Sequence, residues 1–161
     1  MSSLTKEQGV FELTLLNAEM AQEQLDNVMI QGLNMGIAPE IMTRIEGLWG
    51  TTQLIAGEVV AIGKIVVLKI FEFLKANPNL GVGLALGAAV GVLIAGIPFL
   101  GAFLAPLGTA ISMIYGAAIG SARDDGNASS DVFTVISALA KKFFELIQEI
   151  FFSVKDYLAA S

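Results

Sequence analysis

Residues 76–122 read ANPNLGVGLALGAAVGVLIAGIPFLGAFLAPLGTAISMIYGAAIGSA, and these 47 residues contain no Asp, Glu, Lys or Arg. Lys75 and Arg123 bracket them. Small residues recur at every fourth position in two places: Gly83, Gly87, Gly91 and Ala95, then Gly108, Ser112, Gly116 and Gly120. Spacing of four places each set on one helix face. Glycine in a water-exposed helix costs about 1 kcal/mol relative to alanine. That cost has a purpose where a second backbone must come close, as in lipid, which gives two helices no hydrophobic reason to associate. The pattern predicts an uncharged helical hairpin in a bilayer. Its helix–helix contacts fall to Gly83, Gly87, Gly91, Gly108, Ser112, Gly116 and Gly120.

The two arms differ in how well they define themselves. Residues 80–97 hold nine Leu, Val or Ile, five Gly and four Ala. As a helix they reach roughly 27 Å, against a hydrocarbon thickness of about 30 Å. Asn79, after Pro78, is a candidate N-cap. A return helix starting at Pro98 has ample length and a kink at Pro106. One starting after Pro106 has sixteen residues and spans poorly. Phe99 and Phe103 keep the tip apolar. Tyr115 suits either a headgroup interface or a hydrogen bond within the bundle.

Amphipathic segments flank the hairpin. Residues 4–34 carry Val10, Leu13, Leu16, Met20, Leu25, Val28 and Met29 at helical spacing. Thr5 with Gln8 fits a capping box. Residues 36–39, Gly-Ile-Ala-Pro, read as a turn, with Pro39 suited to the first turn of the next helix. Residues 39–75 read as one long helix or two in tandem, bent near Gly47, Gly50, Thr51 and Thr52. Trp49 serves there as core packing or as an interfacial anchor. Within this span, residues 54–74 are long enough to cross a bilayer, but Lys64 at their centre costs about 2.5–3.5 kcal/mol. On a helical wheel Glu58, Lys69 and Glu72 share one side, with Lys64 at its margin. This water-facing stripe is the solvated face of a bundle helix, or lies at an interface, over the hairpin, or along a wet channel.

Residues 123–131, RDDGNASSD, form the plainly polar loop. Their acidic spacing does not match a calcium-binding EF-hand loop. Residues 131–159 form the cleanest amphipathic helix. Val132, Val135, Ile136, Leu139, Phe143, Leu146, Ile147, Ile150, Val154, Tyr157 and Leu158 share an arc. Lys141, Lys142, Glu145, Gln148, Glu149, Lys155 and Asp156 take the rest. Such a helix packs on the hairpin or a neighbouring subunit, or lies in the membrane surface. The expected organisation is one domain: an acidic amphipathic helix over 1–37, a long amphipathic helix over 38–76, the hairpin over 77–122, the loop over 123–130 and the C-terminal helix over 131–161.

The whole-chain balance agrees with a membrane reading. Of 161 residues 55% are hydrophobic and 15% charged, and the net charge is −6. An ordinary soluble domain is about 25% charged. Acidity argues against nucleic acid, whose phosphates call for clustered Lys and Arg. With no Cys and no His, thiol and imidazole catalysis, disulfides and ordinary zinc sites are excluded. No nucleotide-binding glycine loop is complete. No enzyme activity and no cofactor are expected. Residues 1–20 lack a basic region followed by an apolar one, so no cleavable signal peptide is expected. Membrane entry is then from the cytoplasmic side or after signal-less export.

An uncharged hairpin between amphipathic helices resembles, at the level of pattern, the pore-forming colicins and other α-helical pore formers. The ladders resemble those of glycine-zipper membrane proteins. The resemblance implies an all-α protein that hides its hairpin inside amphipathic helices, opens at a membrane and self-associates. The function expected from it is permeabilisation of a bilayer, as toxin, holin-like protein or secretion-channel subunit, with lipid and further copies of itself as partners. The alternatives are a non-conducting membrane scaffold that assembles into a ring, tube or coat, and a soluble helical bundle with a buried hairpin and a partner-binding role.

Overall fold

The computed structural model describes residues 4–97, 100–124 and 128–159, without the side chains of 115–124, 128–133 and 159. The chain is mostly helical. Its elements are α1 (Lys6–Glu19), α2 (Leu25–Asn34), α3 (Pro39–Trp49), β1 (Gln53–Ile55), β2 (Glu58–Val60), α4 (Ile62–Ala76), α5 (Val82–Gly96), α6 (Gly101–Asp124), α7 (Ala128–Phe143), α8 (Glu145–Ser153) and α9 (Lys155–Ala159). The uncharged stretch supplies α5 and all but the last two residues of α6, and the two helices pack on each other. Helix α5 also meets α4 and α7, while α6 meets α3 and α7. The helix pair is thus built into one bundle with its flanks.

Local signals explain the starts of α1 and α3. The Gln8 amide donates to Thr5 Oγ1 at 3.1 Å and the Thr5 amide to Gln8 Oε1 at 2.9 Å, completing the capping box. Pro39 stands at the first turn of α3, after Gly36 at φ +94°. The single helix expected over 4–34 is instead two. Between α1 and α2 the Ala21 carbonyl, freed from the helix ladder, accepts from Lys64 Nζ at 3.0 Å. The same ammonium stands 5.4 Å from the centre of the half-buried Trp49 ring. A tertiary contact therefore stabilises an ending that no local glycine or proline marks.

Of the two readings of residues 39–75 the tandem pair forms, α3 ending at Trp49 beside the expected break at Gly50, Thr51 and Thr52, and the single long helix is corrected. A β-hairpin interrupts it, pairing Gln53 with Val60, Leu54 with Val59 and Ile55 with Glu58. Ala56 and Gly57 form its tip with φ of +52° and +87°. Two positive φ angles in a two-residue connection match the twist of the flanking strands. Asn17 of α1 fastens the hairpin's far end. Its Oδ1 accepts from the Ala61 amide at 3.0 Å, where α4 begins, and its Nδ2 donates to the Val59 carbonyl at 3.4 Å. A left-handed alanine is strained by roughly 1–2 kcal/mol, a strain glycine lacks. Ala56→Gly should therefore raise stability by about 0.5–1 kcal/mol in urea unfolding; a loss of stability would contradict the assigned turn.

Helix α4 lies deepest, with Ile62, Ile65, Val66, Val67, Ile70, Phe71, Phe73 and Leu74 in the core. Helix α5 buries Leu86, Ala89, Val90 and Leu93 against it and its other neighbours. The C-terminal helix expected over 131–159 is broken at Phe144 and Val154, both fully buried. The breaks re-aim successive pieces. Ile136, Phe144, Ile147, Ile150, Phe151 and Val154 face the core, whereas Val135, Leu139 and Leu146 of the expected arc face out. Helix α8 packs on α1, and Gly9 sits where they cross: a side chain there would overlap Ser153 Oγ. Helices α6 and α7 extend to Asp124 and from Ala128, taking most of the loop expected over 123–130.

Candidate apolar groove between α5, α6 and α7

Parts of the two small-residue ladders border one space. A groove of about 780 Å³ runs between α5, α6 and the side of α7. Gly87, Gly91 and Ala95 line it from α5, and Gly108 and Ser112 from α6. Val90, Ile94, Ile111 and Met113 supply its apolar surface, and Ser137 and Lys141 of α7 close one wall. The geometry follows from side-chain size: where two neighbouring helices both present glycine, alanine or serine, nothing fills the space between them.

This differs from the backbone-to-backbone contact that the spacing predicts. A Cβ placed on Gly91 would meet nothing within 4 Å. One on Gly108 would meet Ile94 Cδ1 at 3.6 Å and Val90 Cγ1 at 3.8 Å, ordinary van der Waals contact. In the single chain, α5 and α6 meet at Gly108 through the branched side chains of Val90 and Ile94. Gly83 and Gly87 are half-buried, while Gly91, Ala95 and Ser112 are exposed. Gly116 and Gly120 fall in the part of α6 whose surroundings are not described, and Pro98, Phe99 and the side chain of Tyr115 lie outside the described residues.

The expected water-facing stripe does not form one helical face. Glu58 is on β2, whereas Lys64, Lys69 and Glu72 are on α4. Lys64 is turned to Ala21 and Trp49, and Lys69 pairs with Glu72 at 3.2 Å. The helical wheel failed because it extended a 3.6-residue period through a segment that turns back as strands.

One structural contact beside the groove has little signal in the sequence. Gln148, expected on the polar side, is half-buried and donates from Nε2 to the Val92 carbonyl of α5 at 3.2 Å. A side chain at Gly96 would overlap that same Gln148 amide. The amide thus lies across the last turn of α5 and holds it to α8. Its only signal in sequence was a lone Gln between the apolar positions Ile147 and Ile150.

Electrostatics at the groove are sparse. Lys141 is the charged residue in its lining. Far from it, Lys6 bridges to Asp156 at 3.0 Å and also lies 5.5 Å from the Tyr157 ring centre. The hydrogen bond that Lys6 donates to the Asp156 carboxylate raises the Lys6 pKa above its ordinary value. A raised lysine pKa means that this tie between α1 and α9 persists through neutral pH and is lost as pH climbs past it. Among the described residues, no helix is long and apolar enough to cross a membrane. No known family, curated protein or solved structure matches the chain.

Proposed function

We propose that this chain is a membrane-inserting, self-associating helical protein that permeabilises a bilayer, with the described fold as its closed form. The observation that carries the reading is the placement of the α5–α6 pair, uncharged as far as Ala122, against α3, α4 and α7. Amphipathic helices cover much of the pair, and the Gln148 side chain ties it to α8. Opening exchanges protein contacts for lipid around the nine branched residues of 80–97. At about −0.3 to −0.6 kcal/mol each, these favour insertion by roughly 3–5 kcal/mol before the glycines are counted. Helix α5 as folded spans only about 22 Å. Crossing a bilayer therefore requires it to lengthen over 80–97 or the lipid to thin. Glycine and serine positions that border an open groove in one chain become contact surfaces when chains meet in lipid.

Dye release from liposomes tests this reading with a substitution that leaves the fold alone. Gly91 is exposed, with free space beside it. Gly91→Asp should keep the thermal transition within about 2–4 °C of wild type, equivalent to under roughly 1 kcal/mol. In a bilayer centre an aspartate costs about 2.5–3.5 kcal/mol, so insertion should drop on the order of a hundredfold. Release that is lost in the variant supports the proposal. Equal release from both proteins contradicts it, and vesicles that bind protein yet stay intact favour the non-conducting scaffold.

A further inference from the structure

We infer that the Gln148 side chain is an autoinhibitory latch: seated on the glycine at the end of α5, it sets how readily the α5–α6 pair leaves the bundle. The inference rests on the closed and open forms proposed above and names what holds the closed one. Helix α5 carries no charged residue, and the side chains it buries are all alanine, leucine or valine. Lipid tails are as apolar as leucine, so such contacts are exchanged for lipid at little loss. A hydrogen bond from a side chain on another element has no replacement in hydrocarbon. For α5 that bond is the one from Gln148 Nε2 to the Val92 carbonyl, at 3.2 Å. It is what opening has to break.

Both sides of the contact are shaped for it. Gln148 stands one turn past the buried Phe144, at which α7 gives way to α8, and its backbone amide donates to the Phe144 carbonyl at 2.9 Å. Helix α7 packs on α5 and α6, whereas α8 packs on α1. Gln148 therefore reaches back across the bend and fastens the α1 side of the bundle to the last turn of α5. Gly96 is the seat. The three atoms nearest to a Cβ placed there all belong to the Gln148 amide, which that Cβ would overlap. Gly96 is not among the glycines with positive φ, so its backbone does not call for glycine. A helical glycine weakens its helix by about 1 kcal/mol relative to alanine. Room for the amide accounts for it here.

Hydrogen–deuterium exchange on the full chain without lipid reads the latch, and dye release from liposomes reads its consequence. Gln148→Met keeps the side chain's length and removes the donor. It should retain the wild-type circular dichroism and quicken exchange in α5 about two- to tenfold, the equilibrium effect of one such hydrogen bond, with α1 unchanged. Dye release should rise by a similar factor. Gln53→Met is the control. Gln53 Nε2 also donates to a carbonyl at 3.2 Å, that of Tyr157, but joins β1 to α9. Its loss should leave α5 exchange and dye release at wild-type rates. Gly96→Ala should quicken α5 as Gln148→Met does, by unseating the amide. In a Gln148→Ala background the same change should not quicken it, because alanine favours the helix once the seat is empty. Equal α5 exchange in wild type and Gln148→Met, quickening that is uniform through α1 and α5, or quickening by Gly96→Ala in both backgrounds overturns the inference. So does dye release by wild type that Gln148→Met leaves at the same rate. Quickened α5 exchange with vesicles intact under every variant would sink the permeabilisation reading and leave the latch standing.

Discussion

Gly63→Ala is expected to destabilise the fold by roughly 3 kcal/mol, the upper end of what overpacking a core position usually costs. Gly63 lies in the first turn of α4, where that helix crosses the end of α3. A Cβ there would overlap the Leu48 carbonyl oxygen and come within 3.2 Å of Thr51 Cβ. Neither neighbour has room to yield. The Leu48 carbonyl accepts from the Thr51 amide at 3.0 Å, and the Gly63 amide donates to the Thr51 carbonyl at 3.0 Å. The added methyl meets backbone already held by hydrogen bonds. Gly32 is the useful contrast, since its added Cβ would overlap the thioether of Met42, a flexible side chain. Gly32→Ala should cost clearly less, because methionine can change rotamer. Urea unfolding followed by Trp49 fluorescence measures both. A Gly63→Ala loss below about 1 kcal/mol would contradict the close crossing of α3 and α4.

The second large effect concerns Phe73. Its side chain is fully buried, and its ring lies 5.4 Å from that of Phe143 and 5.6 Å from that of Phe144. Phe143 and Phe144 stand nearly perpendicular, 5.2 Å apart. Three rings in mutual contact join α4 to the break between α7 and α8. Phe73→Ala removes a full aromatic side chain from a site with no solvent access and should cost about 3–5 kcal/mol. Phe73→Leu keeps most of the volume and loses chiefly the ring geometry, so about 1–1.5 kcal/mol. Because the cluster fixes the α7–α8 break, the alanine variant should also loosen α7 beside the groove. Amide exchange in α7 should then quicken relative to α1. Equal stability of the alanine variant and wild type would show that this junction is held elsewhere.

The features legible in sequence were those whose cause is local. The capping box at Thr5 and Gln8, Pro39 at a helix start, the turn at Gly36 and the paired helices of the uncharged stretch each depend on a few neighbouring residues. The extent of α6 resolved one open choice: it begins at Gly101 and carries Pro106 inside it, so the longer return helix is the one that forms. The misreadings share a different cause. In Leu54 to Val60, Ile55, Val59 and Val60 suit a strand, and Gly57 offered the turn. The apolar run continuing into α4 hid that signal under a helical period. Lys64 closes α1 against α2 and Gln148 secures α5 by reaching residues 43 and 56 positions away, and no local pattern encodes such distances. The ladders were visible as spacing, but their surroundings were not. Whether a small residue marks a close contact or an open groove depends on what stands opposite, which only the assembled helices determine.

The depth of α6 in a bilayer tests the central claim most directly. The chain has no cysteine, so Ser112→Cys provides a unique attachment point in the middle of α6, at an exposed position where the change is nearly isosteric. A fluorophore there, in protein mixed with liposomes, can be quenched by lipids brominated deep in their acyl chains or by iodide in the water. The account predicts strong quenching by the deep bromines and protection from iodide. A label that stays open to iodide and untouched by the bromines, under conditions where the protein is bound to the vesicles, would show that the uncharged helix pair never enters the membrane.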